Sequence, residues 1–218
     1  IRNLFLEKYN KKEFEIDKTG VKTVDLICVN FEVDEDHIFG KPNKEYIEKE
    51  FNWYLSQSLN VNDIPDTPKI WKQVADPSGY INSNYGWCIF SEENGYQYNH
   101  CLEELRKNMS SRRGVMIYTR PQMWYDYNKN GMSDFICTYA TQFLIRNETL
   151  YCYVMMRSND ALFGFNNDAA WHQYVLDKLA KDLNIEKTKM IWTSGSLHVY
   201  ERHFHFIEEY EKQLNLNN

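Results

Sequence analysis

The chain has 218 residues, 43% of them hydrophobic, and a formal net charge of −6. That is enough apolar material for one substantial core, so a single domain is expected across 1–218. No apolar run approaches the ~20 residues of a membrane helix, and the acidic balance lacks the clustered lysines and arginines that displace counterions from a phosphate backbone, which argues against a membrane span and against a general nucleic-acid binder.

In chain order, VKTVDLICVNFEV (21–33) predicts a long strand, and NKEYIEKEFNWYLSQSL (43–59) predicts an amphipathic helix with Ile47, Phe51, Tyr54 and Leu55 on its apolar face. Glu50 falls on that same face. A carboxylate there needs a partner or a proton; it is either an edge residue reaching solvent or a buried functional acid. Strands follow at 114–119, 134–146, 149–157 and 188–199, with a helix over 168–183 that turns Trp171, Tyr174, Val175 and Leu179 inward. Strands and helices do not alternate regularly, so the expected fold class is α+β, with a large mixed or antiparallel sheet and helices packed on it.

MSDFICTYATQF (132–143) alternates like a half-buried strand, with Phe135, Cys137, Tyr139, Thr141 and Phe143 on one face. A free cysteine in such a place usually only fills space. Upstream, DYNKNGMSDFIC (126–137) begins like a calcium loop, but its twelfth position is Cys137 where a bidentate Glu is needed, so Asn130-Gly131 is read as a hairpin turn. HVYERHFHF (198–206) gathers three histidines without matching cysteines or carboxylates and reads as a helix start; no metal is expected. The acidic run EVDEDH (32–37) reads as a solvated loop, and the five cysteines, at irregular spacings without a CxxC, fit a reducing cytoplasm.

SSRRG (110–114) sets two guanidinium groups before an apolar strand, and MRSND (156–160) ends another strand with a third. Arginines so placed are commonly surface residues. Their planar five-donor forks also suit a phosphomonoester.

SRRG, SDFICT, MRSND-ALFGFNNDAAW and GSLHVY, supported by DKTGVKT, EYIEKEFNWY, TPKIW and INSNYGW, occur in an order and spacing that resembles the thymidylate synthase superfamily over about 17–204, nearer to its phage deoxycytidylate-hydroxymethylating branch. The resemblance implies an α+β, sheet-mediated homodimer whose two sites share arginines. It implies that Arg112 and Arg113 reach the partner's nucleotide phosphate, while Arg157 and Ser158, with Lys18 in place of the more usual arginine, hold it from within one chain. His198 and Tyr200 match the pair that bonds the sugar hydroxyl, Tyr85 and Trp71 match residues around the pyrimidine and the folate, and Asp160 matches a carboxylate that touches the pterin. Cys137 matches the nucleophile that adds to carbon 6 of the pyrimidine, with cationic neighbours expected to favour its thiolate. Glu50 matches the glutamate that orders water and shuttles protons. The implied co-substrate is 5,10-methylenetetrahydrofolate. Asp168 stands where thymidylate synthases have an Asn, and a carboxylate suits cytosine, which offers an amino donor and a ring nitrogen that gains a proton; Asn159 is a second contact to the base edge. The expected reaction is hydroxymethylation of dCMP, with dCMP methylation, CMP hydroxymethylation or a uracil substrate as alternatives.

Overall fold

The structure, a computed structural model, describes residues 1–216. One mixed sheet runs through it in the order β1 (Glu15–Ile16), β2 (Lys22–Glu32), β7 (Lys187–Tyr200), β5 (Thr149–Met156), β4 (Thr138–Arg146), β3 (Gly114–Ile117), and the short β6 (Asn159–Asp160) also pairs with β7. β7 runs parallel to β5 and β6, while the other pairs are antiparallel. The expected α+β class with a large mixed sheet is what is observed. The helices are α1 (Arg2–Asn10), α2 (Lys44–Ser56), α3 (Lys69–Val74), α4 (Tyr85–Phe90), α5 (Gln97–Lys107), α6 (Met123–Asp126), α7 (Phe163–Leu183) and α8 (Phe204–Leu216).

The core lies between the sheet and the long α7, which buries Phe165, Trp171, Val175, Leu176 and Leu179 at helical spacing against Val154 and Trp192 of the sheet's inner face. Two close approaches bring the later site together. A Cβ on Gly86 would lie 1.9 Å from the Tyr54 carbonyl oxygen, so glycine lets α4 touch α2, and the Tyr54 and Tyr85 rings stack with centroids 5.3 Å apart. A Cβ on Gly195 would lie 2.9 Å from the Arg157 carbonyl oxygen, so β7 admits the chain leaving β5 at that point.

Three local expectations are corrected. The strand expected from 134 begins at Thr138, and a bulge between Thr138 and Ala140 reverses the alternation: Ile136 and Thr138 are buried before it, Thr141, Phe143 and Ile145 after it. Cys137 therefore ends an irregular segment and does not share a strand face with Thr141 and Phe143. Asn130-Gly131 is not a hairpin turn but part of a 3-10 turn between α6 and that segment, with φ of 51° and 83°. The inner face of α2 is Glu50, Trp53 and Tyr54, whereas Leu55 is exposed, so the helix is rotated away from its most apolar stripe.

Candidate active site

Cys137 is held by its own segment and by Arg157. The Cys137 carbonyl accepts from the Arg157 backbone N–H at 2.8 Å, the Arg157 side chain donates from Nε to the Ile136 carbonyl at 2.9 Å and from Nη2 to the Phe135 carbonyl, and Nη2 lies 3.5 Å from Cys137 Sγ. The guanidinium also sits over the Phe135 ring, 5.1 Å from its centroid. Although Arg157 draws the thiol toward ionisation, enclosure dominates, with Asp168 and Asp134 acting in the same direction, and the thiol is pushed up to about 11. Arg157 favours the thiolate, in the direction expected of a cationic neighbour, but burial outweighs this one guanidinium, and the two arginines of the SRRG stretch lie elsewhere in the same chain.

Asp134, unforeseen in the sequence, ties this segment to α4. Buried, it accepts from the backbone N–H groups of Asn82 and Ser83 at 2.8 and 2.9 Å and from the Ser83 hydroxyl at 2.7 Å, just before the helix that begins with Tyr85. Nothing in SDFIC distinguishes this aspartate from a solvated one.

Glu50 is 3% exposed, and burial lifts its carboxyl to about 7. Tyr46, one turn earlier on α2, donates its hydroxyl to Glu50 Oε1 at 2.6 Å, and Trp71 Nε1 donates to the Tyr46 hydroxyl at 2.8 Å and lies 3.3 Å from Glu50 Oε1. The i, i+4 spacing of Tyr46 and Glu50 was the signal available for Tyr46. Trp71 thus faces Glu50 with its indole nitrogen, and its ring meets Trp53 at 5.4 Å.

Asp168 projects from the first turns of α7 and accepts from Asn159 Nδ2 at 2.8 Å. Dense surroundings push its carboxyl well above the usual range; the Glu50 charge adds to this, while Asn159 and the Tyr85 phenol oppose it. Asn159 is buried, and its Oδ1 has no partner among the described residues. An orphaned acceptor beside a carboxylate is chemistry suited to a ligand that brings N–H donors.

His198 and Tyr200 end β7, with ring centroids 4.9 Å apart and nearly perpendicular. Burial lowers the His198 pKa, opposed by Asp160 and Asp25, and raises that of Tyr200, reinforced by Asp160. Asp160 pairs with His198 across β6 and β7, and its Oδ1 accepts from the Leu162 N–H at 3.1 Å. Ser158 lies between Arg157 and Asn159, half-buried. Lys18 is exposed on the turn after β1, with its ammonium 6.0 Å from the Tyr127 ring centroid.

Arg112 and Arg113 are not brought to Cys137. Gly114, the next residue, pairs with Phe143, six positions beyond Cys137. At the rise of a strand, that separation is roughly 15–20 Å. Arg113, its side chain 78% exposed, instead pairs with Glu104 at 3.0 Å. Among the described residues no group of three or more His, Cys, Asp or Glu is placed to hold a metal ion, and no helix is long and apolar enough to cross a membrane.

A family model described as thymidylate synthase matches residues 5–216. The chain is 56% identical over 210 residues to "Deoxycytidylate 5-hydroxymethyltransferase" of Enterobacteria phage T4, covering 93% of this chain and 85% of that protein, and 25% identical over 225 residues to a thymidylate synthase of Buchnera aphidicola subsp. Baizongia pistaciae, covering 98% and 81%. Among solved structures, thermostable thymidylate synthase A from Bacillus subtilis superposes with a TM-score of 0.70 at 22% identity, covering 95% of this chain and 82% of that one, a likeness of fold. With the model spanning nearly every residue and a relative of this identity over most of the chain, the chain belongs to the thymidylate synthase family.

Proposed function

We propose that the chain is an enzyme that transfers a one-carbon unit from 5,10-methylenetetrahydrofolate to carbon 5 of dCMP and adds water, giving 5-hydroxymethyl-dCMP. The observation that carries this reading is the pair Asp168 and Asn159 near Cys137, a carboxylate and an orphaned amide oxygen that offer acceptors to a base with an exocyclic amino group. The 56% identity to phage deoxycytidylate 5-hydroxymethyltransferase supports the same substrate.

In this reading Cys137 is the nucleophile. It starts as a thiol, and addition across the conjugated system joins sulfur to carbon 6 while a proton ends on ring nitrogen 3, so the proton lost and the proton gained balance. Asp168 accepts from the amino group and stabilises the proton at nitrogen 3, and Arg157 stabilises the sulfur as it leaves its proton. The added sulfur makes carbon 5 nucleophilic. The folate, when bound, would supply the one-carbon unit that carbon 5 takes up; carbon 5 gives up its proton and tetrahydrofolate departs, water adds to the transferred carbon, and the bond between sulfur and carbon 6 breaks to return Cys137. Glu50, poised near neutrality, holds water through a network with Tyr46 and Trp71 and exchanges protons at the ring. Half-buried Trp71 and Asp160 fit a folate in kind, as an aromatic surface and a carboxylate acceptor.

Arg157, Ser158 and Lys18 are assigned to the phosphate, and His198 with Tyr200 to the sugar hydroxyl. Arg112 and Arg113 are assigned to the site of a second copy. Their distance from Cys137 within one chain supports that assignment, as do Ile27, Ile117 and Tyr139, which stand 63%, 54% and 48% exposed on the sheet and suit a sheet-mediated homodimer. Five free cysteines suit a reducing cytoplasm.

The test is product analysis with dCMP, CMP and dUMP, each with methylenetetrahydrofolate. Formation of 5-hydroxymethyl-dCMP, with the other two poorly used, is expected. A methylated product, or preference for CMP or dUMP, contradicts the reading.

A further inference from the structure

Two polar residues beside His198, Asp25 and Ser196, belong to none of the roles assigned above. Along β7, Leu197 and Val199 turn into the core, so Ser196 and His198 share the opposite face of the strand. On β2, Asp25 stands directly across from His198, between the buried Val24 and Leu26. The Ser196 hydroxyl lies 3.0 Å from each of Asp25 Oδ1 and Oδ2, and 3.3 Å from His198 Nδ1. Ser196 is itself steadied from below, its carbonyl accepting from the hydroxyl of the buried Ser194 at 2.8 Å.

A hydroxyl has one proton to give. An ionised carboxylate can only accept, so that proton goes to Asp25, and toward His198 the Ser196 oxygen is an acceptor. Nδ1 must then be the donor. Burial holds the His198 pKa below the usual histidine value, against the pull of Asp160, Asp25 and Asp17, so the ring is neutral at pH 8 and carries a single proton. With that proton on Nδ1, Nε2 is a bare acceptor, and Nε2 makes no hydrogen bond among the described residues.

We propose that Asp25 and Ser196 are positioning residues for His198: Ser196, its own proton held by Asp25, takes the hydrogen bond from Nδ1 and so presents Nε2 to the nucleotide as an acceptor for the proton of the sugar 3′-hydroxyl. The Tyr200 ring lies beside it, and burial keeps that phenol protonated, a donor for the oxygen of the same hydroxyl. One hydroxyl is then read by its proton and by its oxygen, which selects a nucleotide whose 3′-hydroxyl is free over one that offers only an acceptor there. The proposal rests on the reading of His198 and Tyr200 as the contacts to the sugar.

The other charged groups around the ring are Asp17 from the turn after β1 and Asp160 from β6, while Glu15 from β1 and Lys8 from α1 act on Asp25. Of all these neighbours, Ser196 is the one within hydrogen-bond distance of a ring nitrogen among the described residues.

The experiment has two arms on the full chain. Nitrogen NMR of histidine-labelled protein at pH 8, without nucleotide, should find one neutral histidine protonated on Nδ1, a signal assigned by its loss in His198→Gln. In Asp25→Ala the Ser196 proton is free to turn to Nδ1, and the ring proton should move to Nε2. An Nε2-protonated or charged ring in the unaltered protein, or an unmoved tautomer in Asp25→Ala, overturns the proposal. The second arm measures equilibrium binding of dCMP and of its analogue with fluorine in place of the 3′-hydroxyl, which keeps a weak acceptor but has no proton to give. The unaltered protein should bind dCMP about 10-fold more tightly than the analogue. Ser196→Ala should weaken dCMP about 10-fold and the analogue less than about 2-fold, and Ser196→Thr, which keeps the hydroxyl, should bind both as the unaltered protein does. Equal weakening of both nucleotides, or a Thr variant as weak as Ala, overturns the proposal. If the alanine variants do not fold, the tautomer of the unaltered protein and of Ser196→Thr decides. If the unaltered protein binds the two nucleotides alike, or binds neither, the assignment of His198 to the sugar has failed, and the tautomer alone then upholds or overturns the positioning by Asp25 and Ser196.

Discussion

The surroundings of Cys137 and the 110–114 loop both present arginines, yet they treat charge in opposite ways. Arg157 is half-buried and spends its donors on the carbonyls of Phe135 and Ile136, beside the thiol. Glu50 and Asp168, near one another, are held toward their protonated forms by enclosure. Arg113, by contrast, stands in solvent against Glu104. Enclosure shifts titrations and fixes geometry, and so builds a site; exposure leaves a guanidinium free to exchange one carboxylate for another anion. The surroundings of Cys137 are organised within this chain, whereas Arg113 faces solvent.

The largest effect expected from breaking the enclosed region is that of Cys137→Ser, which keeps the size of the side chain but replaces sulfur by a much weaker nucleophile. Turnover should fall at least about 1,000-fold while the denaturation midpoint and nucleotide binding are retained. Substantial residual product would exclude covalent attack by sulfur.

Glu50→Gln should separate function from stability. Turnover should fall about 100-fold or more if the carboxyl moves protons at the ring. A carboxyl raised from 4.5 to about 7 binds its proton more tightly in the folded chain than in the unfolded one, so the folded state loses stability as pH rises through that window. The glutamine variant escapes this loss and should be more stable at pH 8 by on the order of 3 kcal/mol, with little difference at pH 4. Thermal unfolding of both proteins at the two pH values is the measurement; a variant less stable at pH 8 would mean that Glu50 is ionised and well paired.

The loop is tested by mixing. Arg113→Ala and Cys137→Ala chains, each inactive alone, should regain about one working site per heterodimer when combined, provided subunit exchange is verified. No recovery would place the role of Arg113 elsewhere. Smallest of all, Glu104→Ala breaks the pair with exposed Arg113 and removes the acceptor of the buried Ser111 hydroxyl, and should cost about 1 kcal/mol of stability, read as a small drop in the denaturation midpoint. A loss several times larger would mean that the loop is as firmly built as the surroundings of Cys137.

Long elements were legible in the sequence because their patterns are unbroken: β2, β5 and β7, and the inward stripe of α7 through Trp171, Val175 and Leu179. Glu50 was legible on the inner face of α2, and it is buried there; what was not legible is that Tyr46 and Trp71 satisfy it and that the helix leaves Leu55 outside. The bulge between Thr138 and Ala140 shifts the phase of MSDFICTYATQF without any Gly or Pro to announce it. The proposed site is drawn from 50, 71, 85, 137, 157–160, 168 and 198–200, and no local spacing links such distant stretches; resemblance to the family named those residues, whereas Asp134 emerged only from its hydrogen bonds.

The central claim, that Asp168 selects cytosine, is tested most directly by kcat/KM for dCMP and dUMP in the unaltered protein and in Asp168→Asn, with release of tritium from carbon 5 as a readout common to both bases. The amide keeps the volume, but its NH2 faces a ring nitrogen that must gain a proton. A drop of about 10-fold to 100-fold is expected with dCMP. With dUMP, the amide donates to the position 4 oxygen that the carboxylate repelled, and efficiency should rise. A ratio of dCMP to dUMP efficiency that does not move toward dUMP would contradict the assignment of Asp168 and, with it, the proposed substrate.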